Sequence, residues 1–299
     1  MIVETRHVAK RYGRFDAIAD LNLAVPEGSV FALVGANGAG KSTTIRMLMN
    51  IVRPDRGDIT VLGKPSVRLT PADFQRIGFV SESQIPPAGL TVERFFAYLR
   101  RIYSSWDRAL ERQLRAQLEL PADRKLQHLS HGMRIKTLLI GALACRPRLL
   151  VLDEPLSGLD PLVRDELVEG LLQQAGDTTI LISSHELAEI ETFTSHVAFL
   201  QHGHLLLQED IEQLRRRFRE VRVTLAAVKQ PLQPLPPDWL MPAIDGHHLR
   251  FIASRHEDDS RLNRDLTERF GAVRMECTAM PLRAIASALM QNEKRNSNA

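Results

Sequence analysis

A glycine-rich loop that ends in Lys41, Ser42 and Thr43 is the stretch of this sequence with the clearest chemistry. An apolar run, Val30 to Val34, precedes the loop and helix-favouring residues follow it, which predicts a strand, a phosphate-binding loop and a helix. Glycines let such a loop turn tightly and point backbone N–H groups at one phosphate, and the helix dipole adds to that field. Lys41 is expected to bridge the terminal phosphates and Ser42 to ligate Mg²⁺, which predicts a nucleoside triphosphate site. The predicted nucleotide-binding residues of the loop are Gly35, Ala36, Asn37, Gly38, Ala39, Gly40, Lys41, Ser42 and Thr43.

Two adjacent carboxylates, Asp153 and Glu154, follow a second apolar run. Because neighbouring residues that leave a strand point in different directions, Asp153 is expected to bind Mg²⁺ and Glu154 to face the attacking water. His185 ends what should be a neighbouring parallel strand, so it is predicted to contact the same phosphate. A hydrogen-bonded histidine at a strand end is the alternative. A zinc motif at His185 is excluded because its second histidine is missing.

Composition sets bounds on the class of protein. The chain has 299 residues, enough for one large domain or a large and a small one. Charged residues make up 25% and the net charge is only +3, which does not by itself indicate a nucleic-acid partner. The longest apolar stretch, Thr137 to Cys145, is too short to span a bilayer. The cysteines, Cys145 and Cys277, are predicted to be buried thiols in a reducing compartment.

Hydrophobic periodicity predicts the helices that hold these motifs in place. Apolar residues at three- and four-residue spacing predict a helical insert from Thr91 to Leu120, with its aromatic residues in the core. Ser130 is predicted as the N-cap of a helix that ends before Pro147. Two further helices are predicted, at 162–174 and 186–193.

Together, these motifs resemble the nucleotide-binding subunit of an ATP-binding cassette (ABC) transporter over roughly residues 1 to 210. The resemblance implies an α/β fold, a P-loop ABC ATPase with an N-terminal antiparallel β subdomain, a RecA-like core and a helical subdomain. It implies ATP and Mg²⁺ as ligands, and Tyr12 as the aromatic that stacks on adenine; a half-exposed strand tyrosine is the alternative. It also implies a D-loop at Asp160, a switch histidine at His185, and a signature loop that contains Ser130, His131, Gly132 and Met133. In this family two subunits pack head to tail, and each ATP lies between the phosphate loop of one subunit and the signature loop of the other.

The signature loop departs from the family pattern at two positions. His131 and Met133 stand where the family usually has glycine and glutamine, whereas Ser130 and Gly132, which are expected to reach the γ-phosphate, are retained. A helix N-terminus with an extra, potentially cationic side chain still suits a phosphate.

A further departure concerns the metal. Glu82 stands where the family usually has a glutamine that ligates Mg²⁺. Because a carboxylate is also an oxygen ligand, Glu82 is expected to bind Mg²⁺ together with Ser42 and Asp153. Gln84 is the alternative source of an amide oxygen.

The last ninety or so residues carry no motif. Strands are predicted at 220–227, 249–253 and 273–277, with a proline-rich loop after the first, a helix at 260–270 and a last helix at 281–290. This pattern indicates a small α+β domain that resembles the accessory C-terminal domains of some exporter ATPases. The predicted organisation is an ATPase domain at 1–215, an accessory domain at 216–293 and a disordered tail at 294–299. His247, His248, His256 and Cys277 lack metal-ligand spacing, so no metal site is predicted there.

The resemblance implies an ATPase that drives a separate transmembrane permease subunit, in an exporter, and that pairs with a second, identical or different, ATP-binding subunit. The expected location is the cytoplasmic face of the inner membrane, without a transmembrane segment of its own, and no nucleic-acid partner is expected. The insert from Thr91 to Leu120 and the Glu82 loop form the predicted docking face. One alternative is a soluble ABC ATPase acting on ribosomes or DNA, disfavoured by the absence of tandem cassettes and coiled-coil insertions. The other is a weakly hydrolysing regulatory half, disfavoured by Glu154.

Overall fold

Buried apolar strands form the framework of the first of two units into which the chain divides, Met1–Gln208 and Glu209–Ala299. The computed structural model describes residues 1–173, 177–227 and 235–297. Short 3₁₀ turns lie at Ser66–Arg68, Leu126–His128 and Leu187–Glu189. The strands and helices from the N-terminus through the first unit are β1 (Val3–Tyr12), β2 (Phe15–Leu21), β3 (Ala24–Val25), β4 (Val30–Val34), α1 (Lys41–Leu48), β5 (Arg56–Val61), β6 (Lys64–Pro65), α2 (Pro71–Phe74), β7 (Ile77–Ser81), α3 (Val92–Ile102), α4 (Arg108–Gln117), α5 (His131–Ala144), β8 (Leu149–Asp153), α6 (Pro161–Leu172), β9 (Thr179–Ser184), β10 (His196–Gln201) and β11 (His204–Asp210).

These strands form one mixed sheet in the order β6-β5-β1-β2-β11-β10-β4-β9-β8-β7, with β3 paired to β1. The N-terminal part is antiparallel, since β1 pairs with β2, β3 and β5 in that sense. The other end is parallel: β4, β9, β8 and β7 run side by side in the same direction. The predicted α/β class, with an antiparallel N-terminal subdomain and a parallel core, is confirmed.

The parallel strands are buried on both faces, as their continuous apolar sequences require. Every residue of β4, β8 and β9 is buried. Because parallel strands end at the same edge of a sheet, the residues that follow β4, β7, β8 and β9 come together there. The prediction that His185 leaves a strand parallel to and next to that of Asp153 is confirmed, since Asp153 pairs with Ser183.

The helices differ from the predicted ones in two places. The insert from Thr91 to Leu120 is helical but divides into α3 and α4, because Asp107 starts a new helix by accepting hydrogen bonds from the N–H groups of Ala109 and Leu110. The predicted helix at 186–193 is wrong: only the 3₁₀ turn Leu187–Glu189 forms there. Glu186 gives that turn no side-chain cap, and isoleucine and threonine are weak helix formers. The helix predicted at 162–174 is α6; residue 174 lies outside the described residues.

The second unit is a four-stranded antiparallel sheet with helices. Its further elements are α7 (Ile211–Arg217), β12 (Arg219–Leu225), β13 (Trp239–Asp245), β14 (His248–Ala253), α8 (Asp259–Phe270), β15 (Ala272–Ala279) and α9 (Leu282–Ser297). The strand order is β13-β14-β12-β15. In its core the Trp239 ring stacks on Phe251 with 3.8 Å between ring centroids.

Three features of this unit differ from the predictions. The unit begins at residue 209 rather than 216, because Arg217 of α7 pairs with Glu209 and with the carbonyl of Ser254. Part of the predicted proline-rich loop is strand β13; as an edge strand it accommodates Pro242 at an irregularity in its pairing. The last helix runs to Ser297, through most of the predicted tail, because its glutamine, glutamate, lysine and arginine residues favour helix. Residues 298 and 299 lie outside the described residues.

Neither unit shows a disulfide or a membrane span in its described residues. Cys145 is buried as predicted, whereas Cys277 is only half-buried, and both are free thiols. Across residues 1–173, 177–227 and 235–297, no helix combines the length and the apolar character that crossing a bilayer requires.

Candidate nucleotide site

The phosphate loop leaves β4 and turns sharply at Gly40 into α1. Gly40 has φ 110°, and a Cβ at this position would lie 2.6 Å from the Ala17 carbonyl oxygen. Only glycine satisfies both constraints. The loop therefore presents its backbone N–H groups beside the N-terminus of α1, the arrangement that binds phosphate.

Lys41 is almost fully buried, with 4% of its surface exposed. Its ammonium donates to the carbonyls of Gly35 at 2.6 Å and Ala36 at 3.2 Å, and lies 3.0 Å from Glu154 Oε1. A buried cation needs such partners. These contacts hold the positive charge between the phosphate loop and the acid that follows β8.

A chain of hydroxyl groups fixes Asp153 at the end of β8. Its Oδ1 accepts from Ser42 Oγ at 3.0 Å and from Ser183 Oγ at 2.8 Å. Ser42 and Asp153 thus place two hard oxygen donors next to each other, which is the donor set that Mg²⁺ prefers. The residues predicted to hold Mg²⁺ fit that ion.

Glu154 is held in place from three sides. Its backbone N–H donates to Ser183 Oγ at 3.0 Å, its Oε2 lies 2.8 Å from His185 Nδ1, and its Oε1 faces Lys41. The residue adopts φ 52°, the left-handed region that non-glycine residues rarely occupy. Strain of this kind is found at active sites, and here it aims the carboxylate into the space in front of the phosphate loop.

Lys41, Ser42 and Glu154 line a pocket of about 280 Å³ at the carboxyl edge of the parallel strands. Glu82, which follows β7, lines it, and its backbone N–H donates to the Asp153 carbonyl at 3.0 Å. Gln84, the alternative metal ligand, instead turns its Oε1 back toward the N–H of Ser81 at 3.4 Å. The residues that line the pocket are Phe15, Ala17, Asn37, Gly38, Gly40, Lys41, Ser42, Thr43, Glu82 and Glu154.

Phe15 is a site residue that the sequence did not predict. It opens β2 opposite Tyr12, which ends β1, so the two aromatic residues are cross-strand partners at the tip of one hairpin. Phe15 lines the pocket and is 58% exposed, whereas Tyr12 is absent from the described lining and lies under the Lys10 ammonium at 5.6 Å. The sequence signal for Phe15 is an aromatic residue two positions before Ala17, a small residue that also lines the pocket.

The predicted signature loop forms the start of α5, away from the described pocket lining. Ser130 caps this helix by accepting from the Met133 N–H at 3.2 Å, so its predicted N-cap role is confirmed. Gly132 packs closely on α6, since a Cβ there would lie 3.0 Å from Val163 Cγ1. His131 Nε2 lies 3.1 Å from the Ser157 carbonyl, so its ring is engaged within the chain.

Two other residues complete this surface. The Met133 sulfur accepts from Arg124 Nη1 at 3.6 Å. Asp160 caps α6 through a hydrogen bond from the Val163 N–H at 3.1 Å. Ser130 and Asp160 are both exposed, which leaves these two helix starts accessible to another molecule.

Comparison with known proteins places this geometry among transport ATPases. Residues 18–157 match the family model described as ABC transporter. The chain is 33% identical over 224 residues to the bacitracin transport ATP-binding protein BcrA of Bacillus licheniformis, covering 73% of each chain. It is 35% identical over 209 residues to the Nod factor export ATP-binding protein I of Cupriavidus metallidurans, covering 68% of this chain and 69% of that protein.

Solved structures agree in fold. An ATP-binding subunit of an ABC transporter superposes with a TM-score of 0.66 at 27% identity, over 72% of this chain and 92% of that one. A dimeric cassette, MJ0796 in a post-hydrolysis state with ADP and phosphate, superposes with a TM-score of 0.60 at 23% identity, over 70% and 98% of the two chains.

Proposed function

The chain belongs to the ABC transporter family of ATP-binding proteins and is an ATPase, and on this premise we propose that it energises a separate membrane-spanning subunit of an exporter. The observation that carries the ATP-hydrolysing part of this proposal is the set of contacts that joins Lys41 to Glu154 and His185 and Ser42 to Asp153. A relative named for bacitracin transport supports a role in transport, and one named for Nod factor export supports an outward direction.

Lys41 and Glu154 are proposed to exchange partners when ATP binds. The terminal phosphate carries more negative charge than a single carboxylate, so it competes for the Lys41 ammonium. Glu154 Oε1 is then free to accept a hydrogen bond from water, while Oε2 keeps its contact with His185. Glu154 polarises that water for attack, and His185 holds the carboxylate in position.

Ser42, Asp153 and Glu82 are the residues proposed to hold Mg²⁺. When bound, the ion would supply positive charge to stabilise the phosphate oxygens. Phe15 is proposed to stack on the adenine ring, and Tyr12, which the family resemblance implies, is the alternative.

A second ATP-binding subunit is proposed to complete each site. Ser130 is exposed and outside the described pocket lining, so the start of α5 with its hydroxyl suits the phosphates of a nucleotide held by another copy, and the exposed Asp160 lies at the start of α6. In this proposal the signature loop of Ser130, His131, Gly132 and Met133 acts in trans.

The ATPase mechanism is tested by replacing Glu154 with glutamine. Removing a general base lowers turnover by on the order of a hundred- to ten-thousandfold. Glu154→Gln should keep ATP binding, measured by equilibrium dialysis, and accumulate as an ATP-bound dimer in gel filtration. Glu186→Gln, an exposed acid two positions beyond the β9 strand, is the matched control and should turn over normally. Turnover of Glu154→Gln at the wild-type rate would exclude this role.

The direction of transport is tested with the permease. The chain co-expressed with its membrane subunit should fractionate with membranes, at the cytoplasmic face, and the exposed apolar residues Ile85 and Tyr98 are proposed to contact that subunit. Inside-out vesicles carrying the complex should accumulate substrate when ATP is added outside, and vesicles carrying Glu154→Gln should not. Accumulation only in right-side-out vesicles with enclosed ATP would indicate import instead.

A further inference from the structure

Three side chains of different chemistry meet in the second unit at the start of α8. They are His256 in the loop after β14, Asp259 in the first turn of α8, and Cys277 in β15. Their ligand atoms, an imidazole nitrogen, a carboxylate oxygen and a sulfur, all lie within 4.8 Å of one another. Because the three residues come from three elements, the fold rather than local sequence brings them together.

The fold fixes each of the three groups independently. His256 has only 9% of its side chain exposed, its Nε2 lies 2.9 Å from Asp259 Oδ1, and its backbone N–H donates to the Arg217 carbonyl at 2.9 Å. Cys277 stands opposite Val221 in the strand pairing, on the face of the sheet that carries the core. Asp259 is 64% exposed on its side chain, so the cluster opens to solvent at one side.

We propose that His256, Asp259 and Cys277 bind a divalent transition metal, Zn²⁺, with a fourth position open to water. Imidazole nitrogen, carboxylate oxygen and thiolate sulfur are the three ligand types of protein zinc sites. Zinc bond lengths of about 2.0 to 2.3 Å place tetrahedral ligands roughly 3.5 Å apart, and the three ligand atoms here lie within 4.8 Å of one another. A thiolate and a carboxylate together neutralise the two charges of the ion. The thiolate also excludes Mg²⁺ and Ca²⁺, which take oxygen ligands.

Neighbouring acids do not compete for the fourth position. Asp258 caps α8 by accepting from the N–H groups of Ser260 and Arg261. Glu257 pairs with the Arg261 guanidinium at 3.1 Å. Both carboxylates are therefore engaged elsewhere.

The alternative is a hydrogen-bonded lock between α8 and β15 without a metal. Burial and the neighbouring Asp259 raise the pKa of Cys277 to about 12, so the metal-free thiol stays protonated and is a poor nucleophile. A reactive cysteine is thus not a competing function. The two alternatives differ in one observable property: only in the metal site does the Cys277 thiolate ligate an added ion.

Cobalt is the probe that separates the two, because Co²⁺ substitutes for Zn²⁺ and shows an intense near-ultraviolet band only when a thiolate ligates it. The full chain is treated with a chelator, transferred to metal-free buffer with excess Mg²⁺ to occupy oxygen sites, and titrated with CoCl₂. We expect a thiolate-to-cobalt band that saturates at one equivalent and disappears when Zn²⁺ is added. Absence of the band in the wild-type chain overturns the proposal, and this result does not depend on the folding of any variant.

Variants assign the band to the three residues. Cys277→Ser should abolish it, and His256→Ala or Asp259→Asn should weaken Zn²⁺ binding at least as much as loss of a second-shell partner, on the order of 10- to 100-fold. The matched controls are Cys145→Ala, which removes the other cysteine, and His248→Ala, which removes an exposed histidine of β14 in the second unit. Both should bind as the wild type does. Persistence of the band in Cys277→Ser, with far-ultraviolet circular dichroism unchanged, would overturn the assignment.

Discussion

Glu82 brings a carboxylate into the wall of the pocket that contains Lys41 and Ser42. Its main chain is tied to Asp153 by the hydrogen bond at 3.0 Å, so its position relative to the metal ligands is set. We expect Glu82→Gln to preserve maximal turnover but to require more Mg²⁺, because a neutral amide binds a hard cation less strongly than a carboxylate. Glu82→Ala should lose more. The measurement is ATPase rate against Mg²⁺ concentration.

Gln84→Ala is the control for this prediction, since the Gln84 amide turns toward Ser81. It should give the wild-type Mg²⁺ curve. If the Glu82 variants also gave the wild-type curve, Glu82 would not be a metal ligand, and its effect would be confined to stimulation by the membrane subunit.

Phe15 and Tyr12 are alternative candidates for stacking on the adenine ring, and removing each ring in turn distinguishes them. Stacking of an aromatic side chain on a base is worth about 1 to 3 kcal/mol. Phe15→Ala should therefore weaken ATP binding by roughly 5- to 150-fold. Binding of inorganic triphosphate, which has no base, should be unchanged. Tyr12→Ala should have the smaller effect on ATP. A larger effect of Tyr12→Ala, measured by the same titration calorimetry, would return the stacking role to Tyr12.

At the scale of elements, α3 and α4 are joined by a buried ion-pair network. Glu111 has only 1% of its side chain exposed and accepts from Arg100, Arg115 and the Trp106 indole. Burial alone would raise the pKa of Glu111, but these donors, Arg100 foremost, hold it below its usual value. Breaking a buried pair is strongly destabilising, so Glu111→Ala should lower the free energy of unfolding by about 3 to 5 kcal/mol.

The pH dependence of this loss follows from the direction of the pKa. A carboxyl whose pKa is lowered by folding stabilises the fold above its usual pKa, and this stabilisation disappears as the pH falls through the lowered value. The difference between wild type and Glu111→Ala in urea unfolding should therefore shrink toward acid pH. Glu27→Ala, which removes an exposed partner of Arg148, is the control. Because solvent screens this pair, the variant should lose much less free energy of unfolding than Glu111→Ala at neutral pH.

The elements and site residues that the sequence predicts are those formed by continuous segments of the chain. The phosphate loop and the acids after β8 are each continuous segments, and apolar runs mark the parallel strands, so the edge where they meet follows from general rules of sheets. Phe15 was missed because its position depends on how β1 and β2 pair, which is a tertiary property. The helix predicted at 186–193 failed for a related reason. Periodicity alone does not account for the Ser184 hydroxyl, which accepts from the Glu186 N–H and favours a turn.

The second unit shows the same limit more strongly. His256 and Asp259 are three residues apart, but Cys277 enters only because α8 and β15 fold back on each other. Strand β13 was missed because prolines usually interrupt strands, and only its place at the sheet edge makes Pro242 acceptable. The assignment of this unit as an accessory domain stays a prediction.

At the scale of the whole molecule, the proposed head-to-tail dimer predicts that two inactive variants can restore activity to each other. Lys41→Ala should lose nucleotide affinity, because the buried ammonium acts within its own chain, whereas Ser130→Ala should retain affinity and lose turnover. Mixing the two proteins creates dimers in which one site has an intact Lys41 from one subunit and an intact Ser130 from the other. Partial recovery of ATPase activity on mixing, followed in a coupled assay, is the expected result.

The control is a mixture of Lys41→Ala with a protein that carries both substitutions, which offers no intact composite site. It should remain inactive. If the first mixture also stays inactive while exchange of differently labelled subunits is observed, Ser130 does not act across the interface.

The left-handed backbone at Glu154 bears on how such subunits diverge after gene duplication. A left-handed non-glycine residue costs on the order of 1 to 3 kcal/mol, and asparagine tolerates this conformation better than most residues. Exchange of Glu154 for asparagine therefore relaxes the backbone while it removes the acid. The same exchange removes the carboxylate that lies beside the buried Lys41 ammonium and His185. At this position, relief of backbone strain therefore opposes the loss of the Lys41 partner, and a copy that takes asparagine keeps the phosphate loop for closure on ATP but lacks the acid for hydrolysis.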